Sequence, residues 1–354
     1  MRITRPLVTL LIVLSGTTCA AWAQADETLA ALQARSEISA EDRQTIQTYV
    51  SRHVADLIGQ DQTQARTATR LLRDAHQGSD AFKQAYAVVC NEVFATGFKK
   101  AELRPAVRML TVLGSFQTLD AHTVFVQALR DDRVGVRAAA ALGLRSLRPQ
   151  IAAAGGTVYT SVLTALSEAG GKEKSRDTLR AIYAALDYAA LTNPPDLTPA
   201  ARTLLNLLEQ RSRAYAARET LLAAGADDAG LEAAARMLPA LDDAGRRRLT
   251  VITATMLRYA LEEYTSPEKN LMEVRAATSP GMAAYRDGME RLVLVGEGLL
   301  RSLLAPPESP DVLGSMRKLN KAALKLQWKE WVALIQRATD QDFTLAEQSE
   351  PEQP

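Results

Sequence analysis

The chain has little of what most chemistries require. Its three histidines, His53, His76 and His122, lie 23 and 46 residues apart, and none has a second histidine or a cysteine at helical spacing. That pattern supplies no metal site. There is no His-Glu-x-x-His, no Gly-x-Ser-x-Gly and no Walker-type loop, so the common signatures of metalloproteases, serine hydrolases and nucleotide-binding proteins are missing. Gly296-Glu-Gly298 lacks a third glycine and follows a helical segment rather than a strand. Glu262 and Glu263 are adjacent; on a helix they diverge by about 100° and do not converge on one substrate. Aromatic residues make up only 5% of the chain, and only two of its three tryptophans follow residue 23. Helical enzymes that cleave glycans line their clefts with aromatics, so a lyase or hydrolase built from dispersed residues is a minor alternative.

Charge of one sign is also missing. With 42 basic and 41 acidic residues the formal net charge is +1, which gives the whole chain no electrostatic reason to bind nucleic acid. The amino-terminal segment carries the signature of export. Met1-Arg-Ile-Thr-Arg5 is positive, Leu7 to Leu14 is apolar, and the small-residue region to Ala23 ends in an Ala-x-Ala site. This reads as a secretory signal peptide over 1–23, too short in its apolar part to span a bilayer. A lipid anchor at Cys19 lacks the aliphatic residue expected three positions earlier. Cleavage before Gln24 removes Arg2 and Arg5 and no acid, leaving 40 basic against 41 acidic residues, and leaves Cys90 as the only cysteine. The expected location is periplasmic or secreted, with no internal disulfide. Cys90 lies in the apolar run Ala85-Tyr-Ala-Val-Val-Cys90 and is expected as a buried small hydrophobe.

What is present is helix. Apolar residues recur at three- and four-residue spacing, and no long period-two alternation occurs, so the fold class is all-α. Start signals stand at Ser39-Ala-Glu-Asp, Asp61-Gln-Thr-Gln64, Ser79-Asp80 and Thr198-Pro. Breaks are expected near Gly78, Gly155-Gly156, Gly170-Gly171, Asn193-Pro-Pro195, Gly225 to Asp228, Ser266-Pro267, Ser279-Pro-Gly281 and Pro306 to Pro310. About a dozen helices of roughly 10 to 24 residues fit between them.

An internal repeat bears on how these helices assemble. Glu102-Leu-Arg-Pro-Ala-Val-Arg-Met-Leu-Thr-Val-Leu-Gly114 aligns without a gap on Asp131-Asp-Arg-Val-Gly-Val-Arg-Ala-Ala-Ala-Ala-Leu-Gly143, displaced by 29 residues. The shared pattern is acid-x-Arg-x-x-Val-Arg-x-x-x-x-Leu-Gly, and such a period holds one helical hairpin. In this pattern 102–147 resembles a HEAT repeat, in which a turn aspartate is followed five residues later by Val-Arg, then by alanines and Leu-Gly. Asp131, Val136, Arg137, Leu142 and Gly143 match, and Glu102, Val107, Arg108, Leu113 and Gly114 repeat the match with glutamate for aspartate. The period departs from the family's usual length of roughly 40 residues. The resemblance implies a right-handed solenoid of antiparallel hairpins over 24–305, with Glu102, Arg108, Asp131 and Arg137 pairing turn acids and helix arginines between neighbouring repeats. A single helical bundle is the alternative architecture.

Two charge clusters remain. Arg246-Arg-Arg248 follows Asp242 and Asp243, and local pairing with those acids is expected. A carboxy-terminal basic amphipathic helix is expected within 306–339, running from about Asp311 to Ala338. Lys318, Lys321, Lys325 and Lys329 fall within an arc of roughly 80° on it. Trp328 borders them, and an acidic tail follows over 340–354. Such a surface suits an acidic protein partner or an anionic membrane surface.

The sequence thus points to an exported, non-enzymatic interaction or scaffold protein with a protein partner. It offers no catalytic residue, cofactor site or metal site. A membrane-peripheral adaptor using the lysine helix is the first alternative and a helical hydrolase or lyase the second.

Overall fold

The computed structural model describes residues 28–217, 223–266, 280–308 and 310–345. The expected signal peptide and residues 346–354 of the acidic tail lie outside them. Every regular element among the described residues is helical, as the periodicity predicts, and none is apolar and long enough to cross a membrane. The chain divides into two compact units at the end of a short helix, residues 1–127 and 128–354.

The first unit is built on four long helices: α1 (Ala40–Ile58), α2 (Gln62–Asp74), α3 (Asp80–Lys100) and α4 (Leu103–Phe116). A shorter helix, α5 (His122–Ala128), carries the division between the units. The predicted starts are the observed ones. Ser39 and Asp42 form a reciprocal capping box on α1, Asp61 accepts from the amides of Thr63 and Gln64, and Ser79 accepts from that of Phe82; each satisfies donors that a helix start leaves orphaned. Gly78 turns the chain between α2 and α3 at φ +102°, where a Cβ would sit 2.3 Å from the carbonyl oxygen of Gln33. Only glycine fits that approach. α1 packs on α2 and α3, and α4 on both of those. The shared core is aromatic: Phe82, Tyr86, Phe94, Phe98 and Phe116 are buried. Cys90 is fully buried among them and burial pushes its thiol up, consistent with a small hydrophobe.

The second unit contains α6 (Val134–Ser146), α7 (Arg148–Ala154), α8 (Gly156–Lys172), α9 (Arg176–Leu186), α10 (Thr198–Ala216), α11 (Asp227–Arg236), α12 (Asp243–Thr265), α13 (Pro280–Leu304), α14 (Val312–Arg317) and α15 (Lys321–Thr339). Two series of side-by-side contacts organise it. α8 packs on α10, α10 on α12 and α12 on α15, while α6 packs on α9, α9 on α11 and α11 on α13. Sequence neighbours join the two series, as α8 with α9, α10 with α11 and α12 with α13. Among the described helices the most extensive contact is α6 on α9. Both helices bury small residues, Ala140 and Ala141 on one and Ala181 and Ala185 on the other.

Most predicted breaks are boundaries, with one instructive exception. Gly170 and Gly171 lie inside α8, where a Cβ on Gly170 would fall 2.7 Å from Leu207 and one on Gly171 2.3 Å from Gln210. These glycines serve the approach of α10, not a turn. The predicted helix over 311–338 is likewise divided: α14 ends at Arg317, Leu319 takes a left-handed φ of 54°, and Asn320 caps α15 through the amide of Ala323.

The 29-residue repeat also has a different register in three dimensions. α4 starts at Leu103 and α6 at Val134, a displacement of 31. At that displacement Pro105, Met109, Leu110, Val112, Leu113 and Phe116 fall on Val136, Ala140, Ala141, Gly143, Leu144 and Leu147, all of them buried. At 29 the matched leucines disagree: Leu113 is fully buried and Leu142 is 51% exposed. The sequence match followed the charged turn, and burial follows the helix.

A buried ionic centre sits in the second unit. Asp227, the first residue of α11, is fully buried. Its Oδ2 accepts from Arg211 Nη2 (2.8 Å) and Tyr215 Oη (2.6 Å), and its Oδ1 from Tyr183 Oη (2.6 Å) and Arg211 Nε. Burial draws the Arg211 guanidinium down and the carboxylate against it more than reverses this, so the guanidinium keeps its proton. Burial and the same carboxylate push both tyrosines well up. The ring of Tyr183 reaches the acid only because Gly230 has no side chain; a Cβ there would lie 2.7 Å from the ring.

Candidate functional site

The predicted inter-repeat residues divide between real rungs and local contacts. Arg137 on α6 reaches Glu173, in the turn between α8 and α9, with Nε at 2.7 Å and Nη2 at 3.0 Å. Its Nη1 donates to the carbonyls of Asp131 and Asp132 at 2.9 and 2.8 Å. The Glu173 carboxylate also accepts from the amides of Lys174 and Ser175. Burial would raise this acid, but Arg137 and those amides hold it below its ordinary range. Asp131 pairs instead with Arg133, two residues on, through two side-chain bonds of 2.8 and 2.7 Å; that pair draws its carboxyl down. In the first unit Arg108 donates to Gln62 at the start of α2 (2.7 Å), and Glu102 is an exposed N-cap residue with no capping bond from its side chain.

Further rungs went unread in the sequence because their partners are 39 to 49 residues apart. Arg180 on α9 bonds Asp228 on α11, Arg236 on α11 bonds Asp187 at the end of α9, and Arg248 on α12 bonds Glu209 on α10. Arg248 is therefore a rung between helices, and Arg246 donates to the carbonyls of Leu238 and Leu241; neither pairs with Asp242 or Asp243 as local spacing predicts. Asp242 caps α12 through the amide of Gly245 instead.

The carboxy-terminal lysines are exposed, Lys318 in the turn before α15 and Lys321, Lys325 and Lys329 on it. No described acid lies within ion-pair distance of them. Trp328 does not border that surface. It is 2% exposed, and its Nε1 donates to the carbonyl of Phe343 (3.0 Å), which is buried against it. The inward face of α15 is Leu324, Trp328, Trp331, Val332 and Ile335, whereas Leu319 in the preceding turn is 53% exposed.

The sequence singled out none of the arrangement around Glu297. This acid is buried; its oxygens accept from the amides of Val312 (2.9 Å) and Leu313 (3.1 Å) and from Trp331 Nε1 (3.0 Å). It caps α14 and anchors α15. The flanking Gly296 lets Leu257 of α12 lie against the α13 backbone, where a Cβ would meet it at 2.7 Å. Within Gly296-Glu-Gly298, Gly296 thus serves packing and Glu297 anchoring. Glu262 and Glu263 go separate ways, the first to Arg258 (2.9 Å), the second accepting from Tyr285 Oη (2.8 Å). No group of three His, Cys, Asp or Glu side chains placed to hold a metal occurs among the described residues.

One surface brings dispersed residues together. The outer faces of α6, α9 and α11 form a groove of about 520 Å³. Its floor is small, with Ala138, Ala181, Ala184, Ala229 and Ala233, and Leu142 stands at the rim. At the carboxy-terminal ends of the three helices Arg145, Arg148 and Arg236 gather around Asp187. Asp187 is buried at the C-cap of α9, the end of a helix that disfavours a negative charge. Arg236 meets its Oδ2 at 3.0 Å through Nε and at 2.7 Å through Nη2, and Oδ1 is buried with no hydrogen-bond partner. Arg148 is half-buried and donates only to main-chain carbonyls, those of Arg145 (3.2 Å) and Asp187. Burial, with Arg145 and Arg236 nearby, draws its guanidinium down despite Asp187. This chemistry can hold an anion or a polar chain; it holds no nucleophile and base in a bonded pair. No known protein family, curated protein or solved structure matches the chain.

Proposed function

We propose that the chain is an exported interaction protein whose two helical series form a right-handed, HEAT-like solenoid, with the face of α6, α9 and α11 receiving a protein partner. The observation that carries this reading is the groove. Three helices lie side by side with a floor of alanines and a rim of arginines, acids and an exposed leucine. Stacked hairpins characteristically offer such extended surfaces, and the rungs from Arg137 to Glu173 and from Arg180 to Asp228 fix the helices that build it. Partner binding there needs no reactive cluster. The test is site-specific photocrosslinking in cells that make the full chain, with benzoylphenylalanine at Leu142 on the groove rim and at Thr164 on the exposed side of α8. A discrete adduct from position 142 and none from 164 is the expected result; equal patterns from both would remove the reading.

A second reading rests on the lysines. Lys318, Lys321, Lys325 and Lys329 are exposed next to Leu319 and Leu326, which are 53% and 58% exposed. This mix of basic and apolar side chains suits peripheral attachment to an anionic bilayer. Sedimentation with vesicles rich in anionic lipid should fall when the four lysines become glutamines. Unchanged sedimentation would eliminate it.

A further inference from the structure

The charges around the end of α9 in the groove do not balance. Arg145, Arg148 and Arg236 share this end with Asp187, and only Arg236 forms an ion pair with it; Asp177, Glu232 and Arg180, the last paired with Asp228, line the rest of the groove. Arg148 is half-buried with carbonyl partners alone, and no described acid lies within ion-pair distance of Arg145. A desolvated cation without a counter-charge is costly and is relieved by an anion that enters with it. A guanidinium meets carboxylate geometry with two parallel donors. On the same spot Asp187 leaves Oδ1 buried and unpartnered. That oxygen calls for a donor, so the site asks for acceptors and a donor together. Beside it the floor is alanine, low enough for a backbone to lie against, and Leu142 offers exposed apolar surface at the rim.

We infer that this groove binds an acidic–apolar peptide segment of a partner protein, its carboxylates on Arg145 and Arg148, a main-chain N–H on Asp187 Oδ1, and an apolar side chain against Leu142 and the alanine floor. This rests on the proposed role of the same face and adds the chemistry of what it receives. A peptide supplies carboxylates, amide donors and apolar side chains at once; a bare inorganic anion supplies no apolar contact and little to fill a groove of about 520 Å³.

The probe is a fluorescein-labelled octapeptide of alternating Glu and Leu, titrated with the full chain at low ionic strength and followed by anisotropy. A counterpart of alternating Lys and Leu and a peptide of alternating Glu and Ser are the comparisons. The Glu-Leu peptide should bind, the Lys-Leu peptide should not, and the Glu-Ser peptide should bind several-fold more weakly. Arg145→Gln should weaken binding, and Arg145→Gln with Arg148→Gln should weaken it about tenfold or more. The single variant keeps the test valid if the double variant folds poorly, since Arg145 is exposed. The inference falls if the wild-type chain does not bind the Glu-Leu peptide or if both variants bind it as tightly. It also falls if equimolar inorganic phosphate displaces the peptide, which would mark a small-anion site. A crosslink at position 142 with no acidic-peptide binding would leave the interaction face standing and remove only this assignment of its ligand.

Discussion

The two units hold their helices together by different means. In residues 28–127 the core is phenylalanine: five of the six in the chain lie there, at positions 82, 94, 98, 116 and 125, all buried. The ion pairs of that unit among the described residues are local, from Arg35 to Asp42, Arg73 to Asp74 and Lys83 to Asp80. Residues 128–345 have local pairs too, such as Arg133 with Asp131 and Arg258 with Glu262, but they add a set that runs between helices, from Arg137, Arg180, Arg211, Arg236 and Arg248. Tyrosines replace phenylalanines there, and Tyr183 and Tyr215 turn their hydroxyls to a buried acid. The lesson concerns geometry. Aromatic packing tolerates rotation of one helix on another, whereas a bidentate ion pair fixes register at the cost of dehydrating charge. The unit with the fixed register is the one that carries the groove.

The largest test removes one anchor from each. Phe94→Ala should cost about 3–5 kcal/mol through its cavity, and Asp227→Ala about 3–5 kcal/mol by stranding Arg211, both read by denaturant melts. The two losses should then part company. Adding Arg211→Met to Asp227→Ala should recover part of the stability; no recovery would show that uncompensated charge is not what the second unit guards against. Next comes a rung that is less deeply placed. Arg137→Ala leaves the buried Glu173 with amides alone and should cost about 1.5–3 kcal/mol, seen as faster hydrogen exchange in α6 and α9 with α1 to α4 unchanged. Gly230→Ala should follow at about 1–3 kcal/mol, because its methyl displaces the Tyr183 ring; a neutral result would mean that the ring is not held on Asp227.

Acid provides the gentlest separation. His76 is half-buried, stacked on Phe116, and burial lowers its pKa. The unfolded chain therefore takes up the proton first, and the first unit should begin to lose stability as pH falls below about 6.5. Glu173 and Asp131 lie below their ordinary values in the fold. Their contribution is complete above the unfolded carboxylate pKa of about 4 and is lost as pH falls through the folded values. Hydrogen exchange at descending pH should open the first unit before the second, and His76→Phe should delay only the first. Simultaneous opening would erase the distinction.

How much of this was legible in the sequence follows from range. Caps act over three residues, so Ser39, Asp61 and Ser79 could be read directly. All-α periodicity could be read because every helix buries one face. The ionic rungs could not, since no local pattern ties Arg180 to Asp228 or Arg211 to Asp227. Gly170 misled because a glycine that admits a neighbouring helix looks the same as one that ends its own. Trp328 was misplaced for a related reason: hydrophobicity does not say which side of a helix a later segment covers, and Phe343 covers Trp328. The groove itself combines residues from α6 to α11, and only the stacking of those helices makes it one surface.

Glu297 has a consequence for how the chain is completed during synthesis. All three donors to its carboxylate, the amides of Val312 and Leu313 and the indole of Trp331, follow it in the sequence. The acid therefore emerges from the ribosome before anything that satisfies it, and α13 cannot bury it until the final forty or so residues arrive. A chain terminated before Val312 would leave this carboxyl without its three hydrogen bonds and with only Arg301, one turn on, within ion-pair distance, so quality-control proteases would meet an unfinished carboxy-terminal edge in such a product.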